Sequence, residues 1–290
     1  MKEKSEQGMS VCDVCFRHCK IEENATGFCG GRTCLNGKIV AANYGKLTSV
    51  ALDPIEKKPI KMFRPGTKVL SIGSYGCNLR CPFCQNSSIS WSKEAFEYKN
   101  IAEYFSPQKI VQSALELRSR GNIGLAFTYN EPLIGYEFVR DTAKLAKEEG
   151  LENVLVTNGT ATQKVLGEIT PYIDAMNIDL KAFSASFYKN LLDGDFQMVK
   201  DFITTAVQSC HVELTTLIIP DENDSEQEMR ELSGWVADLE KQYNKKIPLH
   251  ITRFFPAFKL TNKEPTPVNT IFQLVEVAKE KLDFVFPGNV

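Results

Sequence analysis

Apolar and polar positions alternate along this chain in blocks that change period, and from about residue 68 the blocks recur at roughly thirty-residue spacing. KVLSIGS (68–74), IGLAFTY (123–129), NVLVT (153–157), AMNIDLK (175–181), HVELTTLII (211–219) and PLHITRFF (248–255) are short, apolar and rich in β-branched residues, as strands buried on both faces are. Between them lie stretches with helical period. Ile110, Val111, Ala114 and Leu115 share one face, with Ser106 as N-cap, Pro107 at the first helical position and Gly121 at the exit. Phe138, Thr142 and Leu145 mark a second helix, and a short third ends before Pro171. Phe202, Ile203, Ala206 and Val207 mark another. Ser225 with Glu228 forms a capping box ahead of Met229, Leu232, Val236 and Leu239. Thr266-Pro267 opens a last helix, followed by an extended DFVFP (283–287).

About six βα units predict a parallel sheet covered by helices. A full eight-unit barrel takes ~250 residues. The stretch from 67 onward is shorter, so the pattern predicts an α/β fold, a partial (β/α)6 TIM-like barrel, over 67–290. Residues 1–66 form a small Cys-rich N-terminal segment and lead-in. Chemistry in such barrels sits at the C-terminal ends of the strands.

Composition changes this picture little. Hydrophobic residues are 43% of the 290 and charged residues 24%, and 34 Lys and Arg face 36 Asp and Glu. That balance forecasts no bulk affinity for nucleic acid or anionic membranes. No apolar run reaches membrane-span length and the first residues lack the apolar core of a secretion signal, so a cytoplasmic location is expected.

The nine cysteines carry more information. Five fall between Cys12 and Cys34, three between Cys77 and Cys84, and Cys210 stands alone. In a reducing compartment such clusters point to metal binding rather than disulfides. Cys77, Cys81 and Cys84, spaced C-x3-C-x2-C in GCNLRCPFCQN just after the first strand, can hold three irons of a cubane and leave the fourth open. Structural zinc wants four ligands, which this loop lacks. Cys12, Cys15, Cys19 and Cys29, with Cys34 as a spare, fit either structural zinc or an additional iron–sulfur cluster in a segment too small to build a large core.

The loop, with Phe83 before its third cysteine, resembles that of the radical S-adenosylmethionine (SAM) superfamily. That resemblance implies a [4Fe–4S] cluster on Cys77, Cys81 and Cys84 whose open iron is chelated by SAM. Reductive cleavage of SAM then yields a 5′-deoxyadenosyl radical that abstracts hydrogen from a substrate. By the same resemblance, Asn86, Asn130 and Glu131 (in TYNEP, where the family usually has Gly-Gly-Glu) are SAM contacts. Thr157 and Asn158 of TNG, and Asp179 and Lys181 of DLK, resemble segments of pyruvate formate-lyase activating enzymes, in which the lysine meets the SAM carboxylate. Val156 stands where those enzymes have a cation-binding aspartate, and their strand-five arginine falls near Thr215. His250, on the sixth strand, is a further candidate.

With the N-terminal cysteines, DPIEKKPI (53–60), FRPG (63–66), LHITRFFP and the terminal GNV added, nearly the whole chain resembles the AmmeMemoRadiSam-system radical SAM enzymes. The resemblance implies a flavodoxin or ferredoxin as reductant and a small-molecule, peptide or protein substrate. A non-catalytic electron-transfer or metal-binding protein is the alternative. A zinc hydrolase is disfavoured, because the three histidines form no ligand pattern.

Overall fold

The computed structural model describes residues 9–290. Seven parallel strands follow one another across a single sheet in chain order: β2 (Lys68–Gly73), β3 (Asn122–Phe127), β4 (Glu152–Thr157), β5 (Ala175–Asp179), β6 (His211–Ile218), β7 (Leu249–Arg253) and β8 (Val285–Gly288). An eighth strand, β1 (Ser49–Pro54), pairs antiparallel with β2 at the edge. The two end strands, β1 and β8, do not pair with each other, so the sheet is an open, partial barrel.

Two strands lie beyond the six that periodicity picks out. DFVFP supplies β8, hydrogen-bonded in parallel to β7. The lead-in supplies β1, whose alternation is weak because its residues are mostly half-buried. The other strands are largely buried because helices cover the outer face while side chains fill the inside; β2 is buried from Val69 to Gly73.

Four of the seven barrel helices start where the chain offers a side-chain acceptor, at Ser106, Ser184, Asp195 and Ser225. Ser106 Oγ accepts from Lys109 N at 3.2 Å to cap α1 (Pro107–Glu116), and Gly121, at φ 87°, supplies the left-handed exit. Next come α2 (Tyr136–Glu148), α3 (Gln163–Ile169), α4 (Ala185–Leu191), α5 (Phe196–Ser209), α6 (Glu226–Tyr243) and α7 (Val268–Lys279). At α6 only half of the expected capping box forms. Ser225 Oγ accepts from Glu228 N, but the Glu228 carboxylate turns away to accept from Phe183 N at 2.6 Å.

The N-terminal segment is built from hairpins, Met9–Val11 with Lys20–Glu22 and Arg32–Leu35 with Lys38–Ala41. It packs against the strand exits. Cys15 bridges to Ala161, and Thr162 N donates to Val14 O at 2.9 Å. Among the described residues no helix is long and apolar enough to cross a membrane.

Candidate active site

The chain leaves β2 into a loop that folds back hard on itself. Gly76 sits at φ 93°, where a Cβ would stand 2.5 Å from Cys29 O and 2.8 Å from Ile134 Cδ1, so only glycine fits the turn. Its neighbour Cys77 donates its amide to Cys29 O at 3.1 Å. Arg80 then ties the loop together. Nη1 donates to the carbonyls of Cys77 and Leu79 at 2.9 Å each, and Nη2 to Phe28 O at 2.6 Å. Trp91 Nε1 donates to Cys81 O. The carbonyls of Cys77, Leu79 and Cys81 thus each have a side-chain donor, which holds the loop in one conformation.

Cys77, Cys81 and Cys84 line a cleft of ≈ 300 Å³ at the C-terminal ends of the strands. Burial raises all three thiols: Cys77 well above the usual range, Cys81 to about 12, and Cys84 less far. The Lys181 ammonium pulls Cys81 and Cys84 partly back. A dry pocket of thiols with a cation close by suits a metal that displaces the thiol protons.

The strand exits supply the polar wall. Asn130, after β3, accepts from Ser74 N at 3.0 Å and donates to Gly76 O at 3.0 Å, joining two exits. Glu131 is buried, and its carboxylate accepts from Thr157 Oγ1 at 2.7 Å, Asn158 N at 2.8 Å and Leu133 N at 3.0 Å. Burial outweighs these donors and pushes Glu131 up to about 7. Asn158 Nδ2 donates to Asn78 Oδ1 at 3.0 Å within the cysteine loop. Lys181 Nζ lies 2.9 Å from Asp179 Oδ2. Burial works to discharge Lys181, but Asp179 and the Cys81 sulfur hold it well above the ordinary lysine range. Asn86 Nδ2 donates to Tyr129 O at 2.8 Å, and Phe83 closes one side.

All of the residues singled out around the cluster loop and at the exits of β3, β4 and β5 therefore meet in one cleft. His250 does not join them. Its Nε2 lies 2.6 Å from Glu213 Oε2, while Glu213 Oε1 takes His211 Nε2 at 2.9 Å, and the amides of Lys61 and Met62 complete the carboxylate. Burial works to raise Glu213, but these partners outweigh it and lower the group to about 2. His250 belongs to a polar knot at the other end of the strands. Cys12, Cys15, Cys19 and Cys29 share a second, much smaller cavity, while Cys34 turns away toward Glu23.

The cleft also contains residues that sequence reasoning missed. DPIEKKPI reaches it through Pro59. Asp53 bonds Lys58 Nζ at 2.8 Å and Tyr129 Oη at 2.7 Å, and Pro59 O accepts from Asn177 Nδ2 while its ring lines the cleft. Thr252 and Asn289 line it as well, beside Thr215, which the resemblance already names. DPIEKKPI and GNV stand out in the sequence, but nothing local says that they face a cavity.

A model of the family described as the radical SAM superfamily matches residues 71–233. The uncharacterized protein MJ0808 of Methanocaldococcus jannaschii is 38% identical over 99% of this chain and 84% of its own. A pyruvate formate-lyase-activating enzyme of Clostridium pasteurianum is 25% identical over 57% of this chain and 67% of its own. Among solved structures, Streptococcus suis SuiB bound to S-adenosylmethionine superposes with a TM-score of 0.56 at 11% identity, over 74% of this chain and 48% of that one, a likeness of fold. The matched span covers more than half of the chain, including the cysteine loop and the exits of β3 to β5, and the chain belongs to the radical SAM superfamily, whose enzymes work with a [4Fe–4S] cluster and S-adenosylmethionine.

Proposed function

We propose that this enzyme cleaves SAM reductively and uses the resulting radical to take hydrogen from a peptide or protein substrate, in the manner of the activating enzymes it resembles. The substrate class is taken from the likeness to activating enzymes, and one observation carries the SAM chemistry. The three loop cysteines and the polar groups of the β3, β4 and β5 exits line a single cleft.

The donor set fits the cofactors. Three thiols open onto the cleft with no fourth cysteine among its walls, so Cys77, Cys81 and Cys84 would hold the cluster and leave one iron for a small ligand. Among the described residues no three Cys, His, Asp or Glu side chains stand at the spacing of one bound ion; a cubane spreads its ligands over several irons. When bound, the reduced cluster supplies one electron to SAM, which yields methionine and a 5′-deoxyadenosyl radical.

The remaining work falls to the chain itself. Lys181, kept charged by Asp179, offers an ammonium to the SAM carboxylate. Glu131 has about four acceptor positions and gives three to Thr157, Asn158 and Leu133, which leaves one for the SAM ammonium. An ammonium there stabilises the carboxylate and draws its proton affinity down from about 7. Asn86 and Asn158 are held by Tyr129 O and Asn78 and present fixed polar edges beside the cysteine loop. Phe83, Leu79 and Leu217 give the cleft apolar wall, which limits water around a radical. A flavodoxin or ferredoxin is the proposed electron donor.

The test is anaerobic. The protein is reconstituted with iron and sulfide, reduced, given SAM and assayed for 5′-deoxyadenosine beside Cys81→Ala. Product that depends on Cys81 supports the reading. A cluster-loaded protein that fails to bind SAM would overturn it in favour of an electron carrier.

A further inference from the structure

The second cavity lies in the N-terminal segment. Cys12, Cys15 and Cys19 come from the loop of the first hairpin and Cys29 from a later turn, and all four line a space of ≈ 10 Å³, roofed by Ile134 and bounded by Arg32. That volume is about one water-sized occupant, the room that a single ion takes. Four thiols around a water-sized space are the ligand set of a structural zinc site.

Arg32 supplies an independent observation. Its side chain is 95% buried, and its guanidinium is paired on one side only, through Nη1 to both oxygens of Glu137. Its Nε–H is buried and has no acceptor. A buried cation with an orphan donor is costly unless something anionic faces it. Four thiolates around a divalent ion carry a net charge of about −2, and their sulfurs accept N–H donors.

We propose that Cys12, Cys15, Cys19 and Cys29 bind one zinc ion whose negative thiolate shell is balanced by Arg32, and that this centre braces the loop carrying Cys77. No three Cys, His, Asp or Glu side chains among the described residues already stand at single-ion spacing, so binding draws the four sulfurs together and releases their protons. The brace is direct. The last ligand, Cys29, accepts the amide of Cys77 through its own carbonyl, and the preceding carbonyl, of Phe28, accepts Arg80 from the same loop. Phe28 is also clasped between two guanidiniums, Arg17 and Arg80, at 3.4 and 3.6 Å from its ring centroid. An ion that fixes Cys29 fixes the start of the cysteine loop.

The proposal is tested without SAM chemistry. Cys77→Ala/Cys81→Ala/Cys84→Ala cannot carry the loop cluster and leaves the N-terminal segment whole. After purification with zinc and dialysis, elemental analysis of this variant is expected to find about one zinc per chain and no labile sulfide. Cys12→Ser/Cys15→Ser in the otherwise natural chain is expected to lose the zinc. Its Cys77 amide should exchange with deuterium about tenfold faster, while amides of α6 keep their rates. A triple variant without zinc, or with iron and sulfide in its place, overturns the site. Unchanged exchange at Cys77 in a zinc-free, folded double variant overturns the brace.

Discussion

Glu131 accepts the hydroxyl of Thr157 at 2.7 Å, and this contact ties the exit of β3 to the exit of β4. With the Asn158 and Leu133 amides on the same carboxylate, one buried side chain sets the spacing of two walls of the cleft. Glu131→Gln keeps the shape but turns an NH₂ toward these donors. It is expected to cost about 1–3 kcal/mol, read from the urea midpoint, and to weaken SAM binding. An unchanged midpoint would show that the carboxylate does not hold the exits together.

Lys181 and Asp179 form a pair in which the lysine is the more buried, with 16% of its side chain exposed against 32%. Lys181→Met should raise the Kd for SAM about 10- to 100-fold, the worth of one charge-assisted hydrogen bond, with iron content unchanged. Equilibrium binding to the reconstituted protein measures it.

Gly76 makes room for Cys29 O and works at a φ that alanine resists. Gly76→Ala is expected to cost about 1–3 kcal/mol and to lower the iron retained after reconstitution, because the loop must move away from Cys29. Iron counted per chain beside Gly66→Ala, at an exposed glycine of similar φ with open space around it, separates the close approach from backbone strain.

Glu213 gives a pH signature. Its folded-state proton affinity is depressed from 4.5 to about 2, so the stability it contributes is present above pH 4.5 and is lost as pH falls toward 2. The group is fully buried, and the shift corresponds to on the order of 3 kcal/mol. Glu213→Gln should be less stable at pH 7 and show a flatter acid limb. Thermal melts between pH 3 and 7 compare the two; parallel limbs would contradict the assignment.

Much of this protein was legible before folding, because the relevant signals are local. The C-x3-C-x2-C cysteines fall within eight consecutive residues, 77–84, shortly after an apolar strand, and the periodicity of the βα units depends only on neighbours in the chain. The polar residues at the exits of β3, β4 and β5 could also be named in advance, since a parallel sheet in chain order brings every strand's C-terminal end to the same side. Long-range contacts decided the rest. His250 sits near Glu213 because that buried carboxylate needs several donors, which it takes from His250, His211 and the amides of Lys61 and Met62, and that requirement is invisible along the sequence. Pro59 of DPIEKKPI reaches the cleft because β1 pairs back on β2 and the chain after it passes Asn177, which captures Pro59 O, and Glu213, which captures the amides of Lys61 and Met62. The N-terminal cysteines were visible as a set, but only the tertiary packing showed that they share one cavity with Arg32 and abut the loop of Cys77, since the hydrogen bond between Cys29 and Cys77 spans 48 residues of chain.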